Sequence, residues 1–453
     1  MKTVLITREE LLGEIHPGII EDSIVISPDA RRIAYITKNG DKQFVVVDGR
    51  EGDTYETIWS LKFSPDAMKV GYTAKHRGKC FIVVDDIEHE KYHEIGRNSF
   101  IFSPDSKQIA YTAKFGTKWS LIIEKLDEDG LEYKEKEYDI EPSRFCFSPD
   151  SKRFAYTYRV DELHLVVDGE VIDGCYRYDD FDLTSPVFSP DSKRIAFLHK
   201  LGGLAVLDGK DKLVLDQPRG KAEQFIFSPD SKRLSWVESI RSGDSIESIV
   251  IVDGVEEKLY AGRIKQLMFS PNSKRIAYGV WSGLVVVDGE ESKKYREVSD
   301  IHFSHDSKHV AYMAKNLDYS WSFVKDENET TAFPWKSGPI FSPDGNRMSY
   351  VGGTGNYLVA DGVKDKKYNR IERVIFSPDS KHIAYIAQRG KKWIIVVNGS
   401  KGNKYYSRNN GLYIENYIKQ PITQLVFDNS RLLHFLALRG NKMLRVEVEI
   451  LEK

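Results

Sequence analysis

Along most of this 453-residue chain, short apolar runs alternate with polar turns in a fixed order. The stretch "IWSLKFSPDAMKVGYTAKHRGKCFIVVDD" shows the grammar. A first run ends at Phe63 and meets "SPDA", where Pro65 supplies the fixed φ of a turn and Asp66 can accept backbone N–H groups. A second run, Val70 to Ala74, leads through a polar loop into the continuous apolar run "CFIVV". In most copies this third run ends in Asp-Gly, at Asp48-Gly49, Asp168-Gly169, Asp208-Gly209, Asp253-Gly254, Asp288-Gly289 and Asp361-Gly362, a pair suited to the positive φ of a tight hairpin. A fourth, more polar strand then carries a recurring tyrosine: Tyr55, Tyr92, Tyr260, Tyr295, Tyr368 and Tyr405.

The pattern predicts a four-stranded antiparallel meander in each copy. Within "RIAYI", alternation puts Ile33 and Tyr35 on one face and Ala34 and Ile36 on the other, so both faces need cover. The marker serine recurs at Ser27, Ser64, Ser103, Ser148, Ser189, Ser228, Ser270, Ser304, Ser342 and Ser377, at intervals of 34 to 45 residues. An eroded eleventh copy starts near Leu425. Four strands per copy, buried on both faces, predict an all-β fold: a β-propeller of about eleven four-stranded blades. Because one ring usually holds about four to eight blades, two tandem propellers are expected, a five-bladed one over 1–209 and a six-bladed one over 210–453. A six-plus-five division near Gly254 and a single wide ring are the alternatives. The last copy lacks a fourth strand, and "TVLIT" at 3–7 can supply a missing strand and remove an open edge. In the five-plus-six division that segment completes blade five, and "DKLVLD" at 211–216 completes blade eleven.

Repetition also tests whether "SPDS" carries chemistry. A catalytic serine needs a positioned base and an oxyanion site, and ten equivalent serines with no histidine at a fixed offset have no such partners. The expected role is architectural. The phrases "FSPDSKRFAYTY", "FSPDSKRIAFLH", "FSPDSKRLSWVE" and "FSPDGNRMSYVG" resemble the WD-like propeller repeats of TolB-type proteins and of the propeller domains of prolyl oligopeptidases and the tricorn protease. That resemblance implies a binding platform, channel or gating domain. The hydrolases among those proteins carry a Gly-x-Ser-x-Gly elbow, which this sequence lacks.

Charge sharpens the picture only locally. The 66 basic and 68 acidic side chains nearly cancel, which argues against a nucleic-acid partner. Yet the loops between second and third strands, such as "AKHRGK", "AKFGTK" and "AQRGKK", together hold sixteen Lys or Arg against seven Asp or Glu. His76, Arg77, Lys79, Lys114, Lys118, Arg389, Lys391 and Lys392 are the expected partner-binding set, facing a protein or other anionic macromolecule. Trp119, Trp281, Trp321 and Trp393 begin or adjoin third strands and could add aromatic contacts. His302, His305 and His309 form the densest histidine group and are the candidate metal ligands. His89 and His93 lie about 13 Å apart if both are on one strand, too far to share an ion. No cofactor is expected. Three scattered cysteines, Cys80, Cys146 and Cys175, together with no signal-peptide pattern and no long apolar run, predict a cytoplasmic protein away from membranes. The expected function is a non-enzymatic scaffold presenting variable loops to a protein or other macromolecule; the alternative is a channel-mouth small-ligand or metal-binding protein, or a hydrolase of unknown substrate.

Overall fold

The computed structural model describes residues 3–452 except 127–130, 135–140, 160–162, 173–185, 199–203, 210, 216–219, 244, 331–337, 353–355, 391 and 407–423. Each repeat forms the predicted meander of antiparallel strands. Nine four-stranded sheets, numbered here in chain order, span 25–55, 57–88, 94–134, 143–172, 187–215, 221–261, 264–291, 297–329 and 340–364. A tenth sheet has eight strands, from 370–406, 426–452 and 3–14.

The propeller expected from the repeats is not found: among the described residues no sheet closes on itself, and all ten remain open. The eleven four-stranded antiparallel units are present: nine are separate sheets, and a single parallel bridge between Tyr406 and Arg439 joins the last two into the eight-stranded sheet. Alternation and turn residues fix pairing within a repeat; closure depends on how successive sheets are set against one another, which no local pattern encodes. The segment at 211–215 also departs from expectation, since it is the fourth strand of its own sheet, with Asp211 opposite Asp208. The N-terminal strand does supply a missing partner: Thr3–Glu14 pairs antiparallel with Lys442–Glu452 from Thr3 opposite Glu452 onward.

The chain divides into two compact units. The first comprises 1–142 with 368–453, and the second is the contiguous segment 143–367. Gly209, where the sequence suggested a boundary, lies within the second unit.

Within each unit the cores form between successive sheets. Ala34, Ile36 and Val45 of sheet 1 pack with Phe63, Val70 and Phe81 of sheet 2. Ile82 and Val84, on the other face of sheet 2, pack with Phe100, Ile109 and Tyr111 of sheet 3. Fully burying a side chain such as Phe81 contributes roughly 2 kcal/mol, and both faces of a strand gain it. One repeated detail escaped sequence reasoning. The first strand often bulges, with Ser60, Arg144, Gln266, Asp300 and Arg373 at φ between 49° and 56° and a register shift beside each. Among the described residues no helix is long and apolar enough to cross a membrane.

Candidate interaction surface

The corner between first and second strands is saturated by internal bonds. At 148–151, Ser148 Oγ donates to Asp150 Oδ1 at 2.6 Å and accepts the Arg153 N–H at 2.9 Å. Ser151 takes φ of 62°, and Asp150 N–H donates to the equivalent hydroxyl of the next sheet, Ser192 Oγ, at 3.0 Å. Asp66 with Ser106, Asp191 with Ser231, Asp230 with Ser273 and Asn272 with Ser307 repeat this link.

Arginine completes the device. Arg153 Nε donates to Asp168 Oδ2 at 2.8 Å, Nη1 donates to the carbonyls of Ser192 and Lys193, and the guanidinium lies 5.3 Å from the Phe188 ring centroid. Arg32, Arg233 and Arg275 make the same three kinds of contact. The "SPDS" corner and the Asp-Gly turn are therefore two halves of one rivet between successive sheets. The Ser148, Ser189 and Ser228 hydroxyls hold Asp150, Asp191 and Asp230 below the usual carboxylate range, and the Ser304 hydroxyl with the Lys308 N–H takes Asp306 to about 2. The Ser148, Ser189, Ser228 and Ser304 side chains have no exposed surface, and each hydroxyl is held by the aspartate of its own turn and by a backbone N–H. They are architectural.

This device explains His309. It occupies the arginine position of sheet 8, and its Nδ1 lies 2.5 Å from Asp326 Oδ2. His305 replaces the turn proline and is exposed, while His302 is exposed on the strand Glu297–Phe303. Among the described residues, no group of three or more His, Cys, Asp or Glu side chains is placed to hold a metal ion. His89 and His93 also diverge: His89 Nδ1 meets Glu124 at 2.5 Å, whereas His93 Nδ1 accepts the Gly116 N–H at 3.3 Å. Burial raises the Cys80 thiol and pushes Cys146 up to about 12, so both stay protonated and weakly nucleophilic at neutral pH. Cys175 lies outside the described residues.

The loops between second and third strands are different in kind. Arg77 is exposed at the tip of its hairpin, and its N–H donates to Glu56 at 2.8 Å. Beside it Lys79 is half-buried, and His76 packs edge-on to Tyr55 with its Nδ1 buried and without a hydrogen-bond partner. On the next sheet Lys114 sits 3.7 Å from Glu94 and 5.4 Å from the Trp119 ring, with Lys118 half-buried. Arg389 and Lys392 are exposed around a turn whose Gly390 N–H donates to Asn369. Lys391 lies outside the described residues.

The tryptophans divide sharply. Trp119 and Trp393 are buried and Trp321 is half-buried, but Trp281 is 63% exposed, with Lys265 Nζ 3.9 Å from its ring centroid. On the following sheet Leu317 and Tyr319 are also exposed, and the Arg296 guanidinium lies 4.1 Å from the Tyr319 centroid. Sequence reasoning missed Leu317 and Tyr319. Their signal was present in "AKNLDYS", which places two large apolar side chains in a loop where other copies carry Gly, Asn and Lys. The recurring tyrosines are no contact row: Tyr55, Tyr92, Tyr260, Tyr295 and Tyr368 are buried, and each packs edge-on against a second tyrosine.

No protein-family model matches the chain, and no curated protein matches it. Among solved structures, it is similar to a eukaryotic initiation factor at 13% identity, covering 71% of this chain and 91% of that one with a TM-score of 0.38. It is also similar to TolB from Acinetobacter baumannii (19% identity, 52% of this chain, 65% of that chain, TM-score 0.26). A putative TolB from Agrobacterium tumefaciens aligns at 17% identity over 47% of this chain and 83% of its own, with a TM-score of 0.25.

Proposed function

We propose that this chain is a non-enzymatic scaffold of the cytoplasm, which presents the variable loops between second and third strands to a protein or other macromolecular partner with an acidic surface. The observation that carries this reading is the pair of exposed rings, Trp281 and Tyr319, each set beside a cation at the end of well-packed strands. Aromatic and arginine side chains dominate binding energy where they are buried by a partner, and strands hold them in place beforehand. The basic loop residues Arg77, Arg389 and Lys392 would add attraction at longer range.

A photo-crosslinking residue at Ser282, introduced in cells of the native source, tests the proposal. A specific partner should be captured by the parent chain and lost at least about tenfold in the Trp281→Ala/Tyr319→Ala double variant, as expected when anchoring aromatics are removed. Equal capture by the folded double variant would remove this surface from consideration.

A further inference from the structure

Sheets 7 and 8 of the second unit share a core, in which Ala277 and Val285 of one pack with Val310, Tyr312 and Val324 of the other. Stacked sheets lie about 10 Å apart, so the hairpin tip carrying Trp281 and the loop carrying Leu317 and Tyr319 are near neighbours. The segment between them is bonded to both: the Tyr295 N–H donates to the Gly283 carbonyl and the Arg296 N–H to the Lys315 carbonyl, each at 2.8 Å. The two tips and Arg296 therefore form one continuous strip.

Both tips are ordered by internal bonds. The Trp281 N–H donates to the Arg263 carbonyl at 2.8 Å, and its side chain lies against Gly262, where an added Cβ would come within 3.3 Å of it. In the loop at 316–320, the Asn316 N–H donates to the Ser320 carbonyl at 2.7 Å, the Tyr319 N–H to the Asn316 carbonyl at 3.0 Å, and the Ser320 N–H to Asp318 Oδ1 at 3.0 Å. Anchors held in place beforehand lose little freedom when a partner covers them.

Charge narrows the partner. Arg263, Lys265, Arg296 and Lys315 flank the strip, and among the described residues none of the four is in an ion pair. Lys265, Arg296 and Lys315 instead face rings, at 3.9 Å from the Trp281 centroid and 4.1 and 5.8 Å from that of Tyr319. Two carboxylates are close by: Asp318, which bonds Ser320, and Glu297, opposite Lys315 across the strand pair. Four cations against two carboxylates leave the strip positive. The equivalent loop of sheet 3 has an exposed ring in Phe115, but there Lys114 has Glu94 at 3.7 Å and the ring packs on His93.

We propose that this strip binds an extended acidic segment of another protein, one that carries two apolar side chains about three residues apart. The assignment rests on the partner-binding reading above and names the class of partner. Trp281, Leu317 and Tyr319 expose apolar surface on the order of 400 Å². That suits a short peptide better than a folded domain, whose interface needs roughly 800 Å² on each side. At about 3.3 Å per extended residue, a span of about 10 Å between the tips sets the separation of the two apolar side chains. Leu317 favours an apolar side chain over a nucleobase, which gains from rings and cations alone.

Selection of a random-peptide phage library on the full chain, followed by titration of the enriched peptide, tests this. The expected consensus has Asp or Glu around two apolar residues at that spacing, and its affinity falls as salt is added. Trp281→Ala/Tyr319→Ala and Arg296→Gln/Lys315→Gln should each weaken binding at least about tenfold with the melting temperature kept, and Phe115→Ala should leave binding unchanged. No enriched consensus, a basic or wholly polar one, or affinity unmoved by both double variants overturns the proposal. So does Trp281-dependent binding of a polythymidine oligonucleotide or of phosphatidylserine vesicles in the absence of peptide binding, which would assign the strip to nucleic acid or to an anionic membrane. Capture at Ser282 that needs Trp281 and Tyr319, without peptide binding, also overturns it; the partner-binding reading then stands, with a folded surface as the partner.

Discussion

Each second strand begins at a corner and ends at a loop, and its two ends obey opposite rules. At the corner of sheet 4, Ser148, Asp150, Arg153 and Asp168 have their polar groups engaged within the fold. At the far end of equivalent strands, Trp281 and Tyr319 present rings to solvent with a cation alongside. Repeated residues here are structurally consumed, whereas those that vary from copy to copy are available. In a repeat protein, the positions that recur most are poor places to seek specificity.

The largest expected effect tests the corners together. Asp150, Asp191, Asp230 and Asp306 have folded-state pKa values below their unfolded ones, so the stability they contribute is complete above the unfolded value of about 4. It is lost as pH falls through the folded values, about 2 for Asp306. Thermal melts should therefore show a steep loss of stability between about pH 4 and pH 2, shallower once corner serines are replaced by alanine. Ser228→Ala alone removes a hydroxyl that donates to Asp230 and accepts the Arg233 N–H, and should destabilise by about 2 kcal/mol in urea unfolding. Arg233→Lys keeps the charge but loses the fork that reaches both Asp253 and the Lys274 carbonyl, for about 1 kcal/mol. Trp281→Ala, at the loop end, should shift stability by no more than about 0.5 kcal/mol. A large loss there would mean that the exposed ring braces the fold, and the contrast between the two ends would fail.

Much of the fold was legible because its causes are local. Alternation gave the four strands, and Asp-Gly gave the turn, with Asp48 and Gly49 at φ of 50° and 82°. The unpaired N-terminal strand found its partner in Lys442–Glu452. Closure was misread because it depends on the setting of whole sheets. Individual side-chain roles depend on neighbouring sheets in the same way. His309 looked like a ligand because its role as a substitute arginine appears only when Asp326 is brought opposite it. Trp119 and Trp393 could not be told from Trp281 by position in the repeat, since burial was decided by the neighbouring sheet.

The pairing of Thr3–Glu14 with Lys442–Glu452 also orders events during synthesis. At ribosomal rates of about 5–20 residues per second, the N-terminal strand is made roughly twenty to ninety seconds before its partner exists. The contiguous unit over 143–367 can complete its chain in the interval. The unit containing both strands must hold an unpaired sheet edge until Lys442–Glu452 has been made, and that waiting edge is where a nascent chain of this kind is most exposed to mispairing and most in need of a chaperone.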